Sequence, residues 1–378
     1  MNILVIYRGK YPVHTASSKR LANYVKALRL ENHNVTVKPV YIVNKSVYLE
    51  FILSSFEPVK AFLAIITNAK KFSVVYIYGP GWFFKFSIAL AAKLRGKPVG
   101  TELNEKPYSI HGNGRRELFI NRFEAFHEFC LIKCVYPLID GFIVISDPLV
   151  KYVRGKGKKG VVVCKVPILV DYDYYQELIG NNDYKVPYII NTAALNDHKD
   201  GIVKVFEAFA FVISQGYNLH FYLTSKVAAK ETLDSINLIM KKNKLDEKVT
   251  FIGELDEDTL LSYQARCSML ILNKVDSEQN RYNFATKLGE YLALGKPVIT
   301  TSVGEVSNYL IDNDSCIYVE PNNAEKIAQS MTKLITDVEF ARQLGENGRK
   351  IAKEVFNLRA QSKRIEKFFT TLTNIRQS

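Results

Sequence analysis

The feature that most constrains this chain is a repeated alternation of short apolar runs with longer segments of helical period. Such alternation is typical of parallel β-sheets that helices cover on both faces. Because the series begins again near residue 188, we expect an α/β protein with two separately wound, Rossmann-like sheets. The predicted strands are 3–7, 34–39, 74–78, 98–102, 141–145 and 161–166 in the first half, and 188–192, 219–224, 249–252, 269–272, 297–301 and 315–319 in the second.

The domain boundary is predicted from a stretch of different composition. Residues 167–187 begin and end with proline, are rich in Tyr and Asp, and show no clear period. We therefore predict an N-terminal domain over 1–180, a C-terminal domain over 181–356, and a last helix over 357–378 that can cross back to the first domain. Two such sheets facing a cleft would present ligand sites beyond the carboxyl ends of their strands.

Cysteine usage and the start of the chain bear on location. The five cysteines show no CxxC spacing, so neither a disulfide framework nor a zinc site is indicated. The first residues, MNILVIY, lead directly into a strand pattern and lack the features of a signal peptide. No stretch approaches the roughly 18 uninterrupted apolar residues of a membrane span. These features predict a cytoplasmic protein, either soluble or peripheral on the inner face of the membrane.

The net charge of +13 lies entirely in the first half. Residues 1–180 hold 26 basic and 13 acidic residues, whereas the rest of the chain holds 25 of each. This asymmetry favours an anionic partner for the first half, either lipid headgroups or nucleic acid, although a solvated surface without a partner is an equal alternative. The segment 47–72 mixes large apolar residues with lysines, which fits either a basic membrane-facing surface or helices buried on the sheet.

The strongest functional signal is the segment 283–299, NFATKLGEYLALGKPVI. A polar loop enters a helix at about Thr286. The free N–H groups of the helix start, the Thr286 hydroxyl and the Lys287 ammonium would suit a diphosphate. Glu290, one turn along, could accept hydrogen bonds from two ribose hydroxyls. The alternative is that Lys287 and Glu290 form a solvated helix pair.

This segment resembles the family-four retaining glycosyltransferases, the glycosyl transferases group 1 of the GT-B fold, in a subgroup with a Lys-x-x-Glu-Tyr helix. Glu290 matches the second of two glutamates in the family pattern, whereas Tyr282 stands at the position of the first. In the family that first carboxylate contacts the donor sugar, so the resemblance implies other contacts here. The candidates are Asn283 and the backbone of Phe284, Ala285 and Thr286.

Two further segments match the family in the second half. The first is 191–201, NTAALNDHKDG, before a helix, and by this resemblance Lys199 holds the donor diphosphate. The second follows the strand at 249–252, where Ile252 and Gly253 would contact the nucleoside base through their backbone. A surface lysine and an ordinary glycine turn are the alternatives.

The first half offers weaker candidates for an acceptor site. Ser17 and Ser18 either cap a helix or contact the acceptor. Glu102 and Glu105 would stand at the cleft mouth and position or deprotonate an acceptor hydroxyl, unless they are ordinary loop acids. His111 is a third acceptor candidate, although a lone histidine is more often structural.

The sequence predicts no metal site and no cofactor. Asp171-Tyr172-Asp173 has the Asp-x-Asp form of a different glycosyltransferase fold, but it lies in the predicted joint. Lysines and helix dipoles would replace a cation. The hypothesis is a retaining, metal-independent transfer of a sugar from a UDP- or GDP-linked donor to a glycan or lipid-linked acceptor in cell-surface polysaccharide synthesis. The alternatives are a sugar-nucleotide epimerase of the same architecture and a nucleic-acid-binding protein, but no nucleic-acid recognition signature is present.

Overall fold

The computed structural model describes residues 1–12, 15–40, 57–107, 115–177 and 187–375, apart from the side chains of residues 57, 69 and 115–117. The chain forms two compact units. The first comprises Met1–Leu169 together with Leu358–Ser378, and the second comprises Val170–Asn357. The division therefore falls before the boundary expected near residue 180, and the last helix belongs to the first unit.

The described part of the first unit contains one parallel sheet of six strands, and all six strands predicted for this half are confirmed. They are β1 Asn2–Tyr7, β2 Asn34–Pro39, β3 Val74–Tyr78, β4 Val99–Leu103, β5 Gly141–Val144 and β6 Val162–Lys165. Their order in the sheet is β2-β1-β3-β4-β5-β6, so the direction of winding reverses at β1 and β3. The central strands β1, β3, β4 and β5 are almost wholly buried, as expected when helices cover both faces of a sheet, whereas the edge strands β2 and β6 are mostly half-buried.

Five helices lie in the described part of the first unit that precedes the second unit in the chain. They are α1 Ala16–Leu30, α2 Glu57–Asn68, α3 Trp82–Leu94, α4 Arg115–Cys130 and α5 Asp147–Lys156, with a π-helical turn at Leu131–Val135 and 3-10 turns at Ala69–Lys71 and Tyr136–Leu138. Of the segment 47–72, residues 47–56 lie outside the described residues. Residues 57–68 form α2, which buries Ala61 and Ile65 and exposes Val59 and Leu63. One side of α2 therefore packs on the first unit, as one of the two alternatives expected.

The described part of the second unit contains two three-stranded parallel ladders, and all six strands predicted for this half are confirmed. They are β7 Tyr188–Asn191, β8 His220–Leu223, β9 Val249–Phe251, β10 Leu270–Leu272, β11 Val298–Thr300 and β12 Ile317–Tyr318. The ladders are β7-β8-β9 and β10-β11-β12, and a parallel bridge between Ile189 and Met269 places β7 beside β10.

Helices pack on both faces of this second sheet. They are α6 Tyr172–Glu177, α7 Asp197–Asp200, α8 Ile202–Ser214, α9 Lys230–Lys242, α10 Glu257–Arg266, α11 Glu278–Tyr282, α12 Lys287–Ala293, α13 Ala324–Thr336 and α14 Val338–Ile351, with a 3-10 turn at Val306–Asn308 and a π-helical turn at Ala352–Phe356. On one face, Phe206 of α8 and Met331 of α13 lie in one core with Phe221 of β8. On the other face, Tyr263 of α10 lies edge-on to Tyr222 of β8, with ring centroids 5.5 Å apart.

The last helix, α15 (Leu358–Asn374), packs on the sheet of the first unit. Phe369 lies edge-on to Tyr76 of β3, with ring centroids 5.2 Å apart. Phe368 and Leu372 press against Gly141, where a Cβ atom would come within 2.8 Å of both side chains. Glycine is thus required in β5 because it lets the helix approach the sheet closely. Among the described helices, none combines the length and the apolar character needed to cross a bilayer.

Replacing Gly141 by Ala should therefore destabilise the first unit. The added methyl group has no room beside Leu372 and Phe368, and overpacking of this kind costs about 1–3 kcal/mol. Urea unfolding followed by circular dichroism measures the loss. Gly155→Ala is the matched control because nothing lies within 4 Å of its Cβ position in α5, and it should leave stability unchanged or raise it. Equal stabilities of the two variants would contradict this packing.

Candidate functional site

Three side chains from two other segments of the second unit, α10 and α12, lie at the carboxyl end of β7. Lys287, the first residue of α12, donates from Nζ to the carbonyl oxygen of Thr192 at 2.8 Å and to its hydroxyl at 3.2 Å. The Tyr291 hydroxyl lies 3.3 Å from the same Thr192 hydroxyl, to which Gln264 Nε2 donates at 3.3 Å. Thr192 thus holds Lys287 where the strand order reverses, which is where open parallel sheets bind ligands.

Lys199 lies in the loop that follows β7. Asn196 caps the short helix α7, and its Oδ1 accepts a hydrogen bond from the Lys199 N–H at 2.9 Å. Asn280 Nδ2 donates to the carbonyl oxygens of Lys199 and Val275, each at 2.8 Å. The backbone of Lys199 is therefore tied to the segment that follows β10. The loops after β7 and β10 are thus held together by hydrogen bonds at this edge of the sheet.

A third lysine, Lys274, belongs to this edge and was missed by the sequence analysis. It follows β10 and forms an ion pair with Asp200 of α7. Its backbone N–H and carbonyl both bond to the Thr301 hydroxyl, at 3.3 Å and 3.1 Å. Its position directly after a strand was the available signal, but a single lysine at such a position is usually a surface residue.

Three buried side-chain amides lie among these residues. Gln264 Oε1, Asn273 Oδ1 and Asn280 Oδ1 accept no hydrogen bond from any described residue. Their NH₂ groups are used, since Asn273 donates to the carbonyl oxygens of Asp200 and Gly201. Buried polar atoms without a partner are uncommon and concentrate where a protein binds ligands or water. Their grouping here sets this edge of the sheet apart from an ordinary loop surface.

Glu290 is held by a residue that the sequence analysis did not single out. The Tyr175 hydroxyl of α6 hydrogen-bonds to the Glu290 carboxylate, and burial together with this negative charge raises the pKa of Tyr175 well above its usual value. Helix α6 is fixed in turn by Gln176, whose Nε2 donates to the Ala293 carbonyl at 2.9 Å. The short helix α6 therefore orients the carboxylate on α12. No periodic pattern in the Tyr-rich stretch indicated this contact.

The other predicted donor contacts occupy different environments. Phe284 is buried and stacks on Tyr309 with ring centroids 5.3 Å apart, so its side chain belongs to the core. Asn283, Ala285 and Thr286 are half-buried in the loop that leads into α12, where Thr286 takes the N-cap position without a side-chain hydrogen bond.

Ile252 and Gly253 follow the edge strand β9, two strands away from β7. The Ile252 N–H donates to the Leu223 carbonyl at 2.9 Å, which extends the β8–β9 ladder by one bond. Gly253 has a φ of +80°, in the left-handed region that favours glycine. Both residues are half-buried at the same carboxyl edge as the lysines.

In the first unit, Glu102 does not stand at an open edge as expected. It is 5% exposed, and its Oε1 accepts from Arg20 Nε at 2.7 Å and from the Tyr24 hydroxyl at 3.1 Å. Its Oε2 accepts from the Tyr76 hydroxyl at 2.8 Å. A buried carboxylate requires such partners. The expectation that Glu102 stands at an open edge is therefore wrong, because its carboxylate is enclosed by Arg20, Tyr24 and Tyr76.

The remaining acceptor candidates occupy different environments, and one of them lies outside the described residues. Glu105 is exposed. Thr15, not a serine, caps α1, since its hydroxyl accepts from the Ser18 N–H at 3.4 Å. Ser18 is buried, whereas the Ser17 hydroxyl lies 3.0 Å from that of Tyr7 at the end of β1. His111 lies outside the described residues.

Lys85 is a buried amine at the carboxyl edge of the first sheet. It is 7% exposed and donates from Nζ to the Glu102 carbonyl at 3.2 Å. Burial lowers its pKa to about 8, although the negative charge of Glu102 acts in the opposite direction. His127 of α4 lies near Lys85 and accepts from the Trp82 N–H at 3.1 Å. Burial, and then the charge of Lys85, lower the pKa of His127.

The lowered pKa of Lys85 predicts a pH dependence of stability. Between pH 8 and 10.5 the unfolded chain binds this proton and the folded chain does not. The free energy of unfolding contributed by Lys85 therefore rises with pH across that window, by at most about 1.4 kcal/mol per unit. Lys85→Met should remove this rise in urea-unfolding series between pH 7.5 and 10. The exposed-lysine control Lys26→Met should keep it, and a rise that persists in Lys85→Met would contradict the assignment.

Among the described residues, no group of three or more His, Cys, Asp or Glu side chains is placed to hold a metal ion. In the Asp-x-Asp segment at 171–173, the last residue, Asp173, lies on an exposed side of α6. The candidate site in the second unit thus rests on three lysines, a carboxylate oriented by a tyrosine, and buried amides. That set can bind an anion and polar hydroxyl groups together.

Comparison with known sequences relates this site to one family. Residues 179–351 match the family described as glycosyl transferases group 1. Over 118 residues the chain is 29% identical to an uncharacterized glycosyltransferase of Methanocaldococcus jannaschii, covering 31% of this chain and 32% of that protein. Over 198 residues it is 22% identical to the capsular polysaccharide biosynthesis glycosyltransferase CapM of Staphylococcus aureus, covering 52% and 48%. These matches span about a third to a half of the length of the curated relatives.

Comparison with solved structures confirms the predicted fold class. Anabaena HepE in complex with UDP superposes with a TM-score of 0.70 at 14% identity, covering 98% of this chain and 100% of that one. Another structure of HepE contains UDP-glucose. At this identity the likeness concerns the fold alone, which is that of the GT-B glycosyltransferases, built from Rossmann-like α/β units with parallel sheets.

Proposed function

We propose that this chain, whose residues 179–351 match the glycosyl transferases group 1, transfers a sugar from a nucleotide diphosphate donor to a glycan or lipid-linked acceptor. The transfer retains the anomeric configuration and needs neither a metal ion nor a cofactor. The donor binds to the second unit, at the carboxyl ends of β7 and β10. The first unit receives the acceptor.

The observation that carries this proposal is the convergence of Lys199, Lys274 and Lys287 on one edge of the sheet. The Lys287 ammonium contacts the Thr192 carbonyl, a neutral acceptor that a phosphate oxygen can replace with a stronger, charge-assisted bond. Fixed positive charge at a diphosphate stabilises the leaving group as the bond to the sugar breaks. HepE, which has the same fold, binds UDP, and this supports a nucleotide diphosphate as the ligand.

Glu290 anchors the ribose of the donor in this proposal. A carboxylate can accept hydrogen bonds from two neighbouring hydroxyls, and it does so best when its orientation is already set. The hydrogen bond from Tyr175 supplies that orientation. We propose that contacts with the sugar come from Asn283 and from the backbone of residues 284–286, and that Ile252 and Gly253 contact the base.

On the acceptor side, Glu105 remains the candidate for positioning the acceptor hydroxyl. Glu105 is exposed, whereas Glu102 is enclosed by Arg20, Tyr24 and Tyr76. The likeness to CapM supports an acceptor used in cell-surface polysaccharide synthesis. A lipid-linked acceptor would be met at a membrane surface, so we propose that the protein works in the cytoplasm, peripherally on the inner face of the membrane.

The role of the lysines predicts a loss of donor binding on substitution. Lys199→Ala and Lys287→Ala should each weaken the binding of UDP or GDP by about 10–100-fold, equivalent to about 1.4–2.8 kcal/mol. Transfer from the corresponding nucleotide sugar should fall at least as much. Isothermal titration calorimetry measures the affinity. Lys241→Ala, which removes the same charge from the exposed end of α9, is the control and should bind as the wild type does. Nucleotide binding unchanged in both test variants would refute the diphosphate site.

Incubating the wild-type protein with a nucleotide sugar and no acceptor distinguishes transfer from epimerisation. With the nucleotide sugar alone, a transferase leaves the donor intact apart from slow hydrolysis. An epimerase converts it to a second nucleotide sugar. Anion-exchange chromatography of the donor after incubation resolves the two outcomes, and conversion in the absence of any acceptor would replace the proposed transfer.

The Tyr175–Glu290 contact predicts a selective effect on ribose recognition. The wild type should bind UDP more tightly than 2′-deoxy-UDP because Glu290 accepts a bond from the 2′-hydroxyl. In Tyr175→Phe the carboxylate loses its orienting bond, and the preference should fall about 3–10-fold, as expected for about 0.7–1.4 kcal/mol. Tyr174→Phe is the matched control, since the Tyr174 hydroxyl bonds to Asp258 instead. An equal loss of affinity for both nucleotides would assign Tyr175 a purely structural role.

A further inference from the structure

One face of helix α4 exposes large apolar side chains to solvent. Five side chains form this surface, which we call the aromatic face, and each of them is between 50% and 73% exposed. With about 3.6 residues per turn, they fall within an arc of about 140° around the helix axis. They are Leu118, Phe119, Phe123, Phe126 and Phe129.

The opposite side of α4 fixes which way the aromatic face points. His127 accepts a hydrogen bond from the Trp82 N–H at 3.1 Å, so it faces the start of α3. Glu128 accepts from the Tyr152 hydroxyl at 2.6 Å. These contacts hold the helix on the first unit, and the aromatic face is turned outward. A contiguous exposed patch of five large apolar side chains is typical of an interaction surface.

The charges beside the aromatic face are positive. Arg122 lies within the arc and is exposed, and Lys133 is exposed just beyond the end of α4. Glu124 and Glu128 lie on the other side of the helix and are half-buried. Among the described side chains of α4, the aromatic face therefore carries a cation and no carboxylate.

The first unit as a whole has the same sign. It holds 31 basic and 11 acidic residues, a net charge of +20, whereas the second unit holds 20 and 27, a net charge of −7. The charge asymmetry between the structural units is thus larger than that between the sequence halves. A second copy of this unit would be repelled from the aromatic face, and an anionic surface would be attracted to it.

We propose that the aromatic face is the surface by which the first unit docks on an anionic lipid bilayer. Phenylalanine side chains enter the boundary between headgroups and acyl chains, while Arg122 and the surrounding basic residues contact lipid phosphates. This proposal deepens the proposed function, because a lipid-linked acceptor would be met at the membrane, but it concerns α4 and not the donor site.

Vesicle binding tests the proposal. The protein should cosediment with vesicles of phosphatidylglycerol and phosphatidylcholine mixed in equal parts, and much less with phosphatidylcholine alone. Phe119→Ala/Phe123→Ala should weaken this partitioning at least tenfold, and Arg122→Glu should weaken it most at low salt. Phe211→Ala/Leu238→Ala, which removes two exposed apolar side chains from the second unit, should bind as the wild type does.

Two further measurements keep the docking surface distinct from folding and from the donor site. Thermal unfolding and UDP affinity of Phe119→Ala/Phe123→Ala should match the wild type, and Lys287→Ala should still bind vesicles. Wild-type protein that stays in solution with anionic vesicles would overturn the proposal. So would a Phe119→Ala/Phe123→Ala variant that binds them fully, or a wild-type dimer in sedimentation velocity that this variant abolishes.

Discussion

The pairing of β7 with β10 is the constraint on which the second unit depends. The Ser268 N–H donates to the Tyr188 carbonyl at 2.8 Å, and the bridge between Ile189 and Met269 continues the contact. Each three-stranded ladder would otherwise end in an unpaired edge, with open N–H and C=O groups. The two ladders extend in opposite directions from this central pair, so the loops that follow β7 and β10 lead to opposite sides. The place where these loops separate carries three lysines, Lys199, Lys274 and Lys287.

Much of the architecture could be predicted from the sequence because parallel strands buried on both faces are short, apolar and bounded by turns. All twelve predicted strands are present, although the edge strands β2, β6 and β9 are only partly buried. The positions of Lys199, Lys287 and Glu290 could be predicted for a related reason. Each residue lies a few positions after a predicted strand or a predicted helix start. Their chemical roles remain proposals, but their place at the carboxyl edge of the sheet followed from the pattern.

What escaped prediction depended on contacts between distant residues. Glu102 resembles a loop acid in sequence, yet its main partner, Arg20, lies 82 residues away. Tyr175 lies in a stretch without any period, and its role appears only when α6 packs against α12. The aromatic face posed the opposite problem. Sequence alone does not distinguish a helix that buries phenylalanines from one that exposes them, because the difference lies in which side the neighbouring helices cover.

The packing of α15 has a consequence for how the chain acquires its structure during synthesis. Residues 358–374 cover the face of the first sheet at Gly100 and Gly141, yet the ribosome makes them after the entire second unit. The second unit is continuous in the chain and can close its core as soon as it emerges. Until residues 358–374 are made, Tyr76 and its neighbours on the first sheet remain exposed. During this time chaperones can bind the exposed apolar surface, or the surface can cause aggregation.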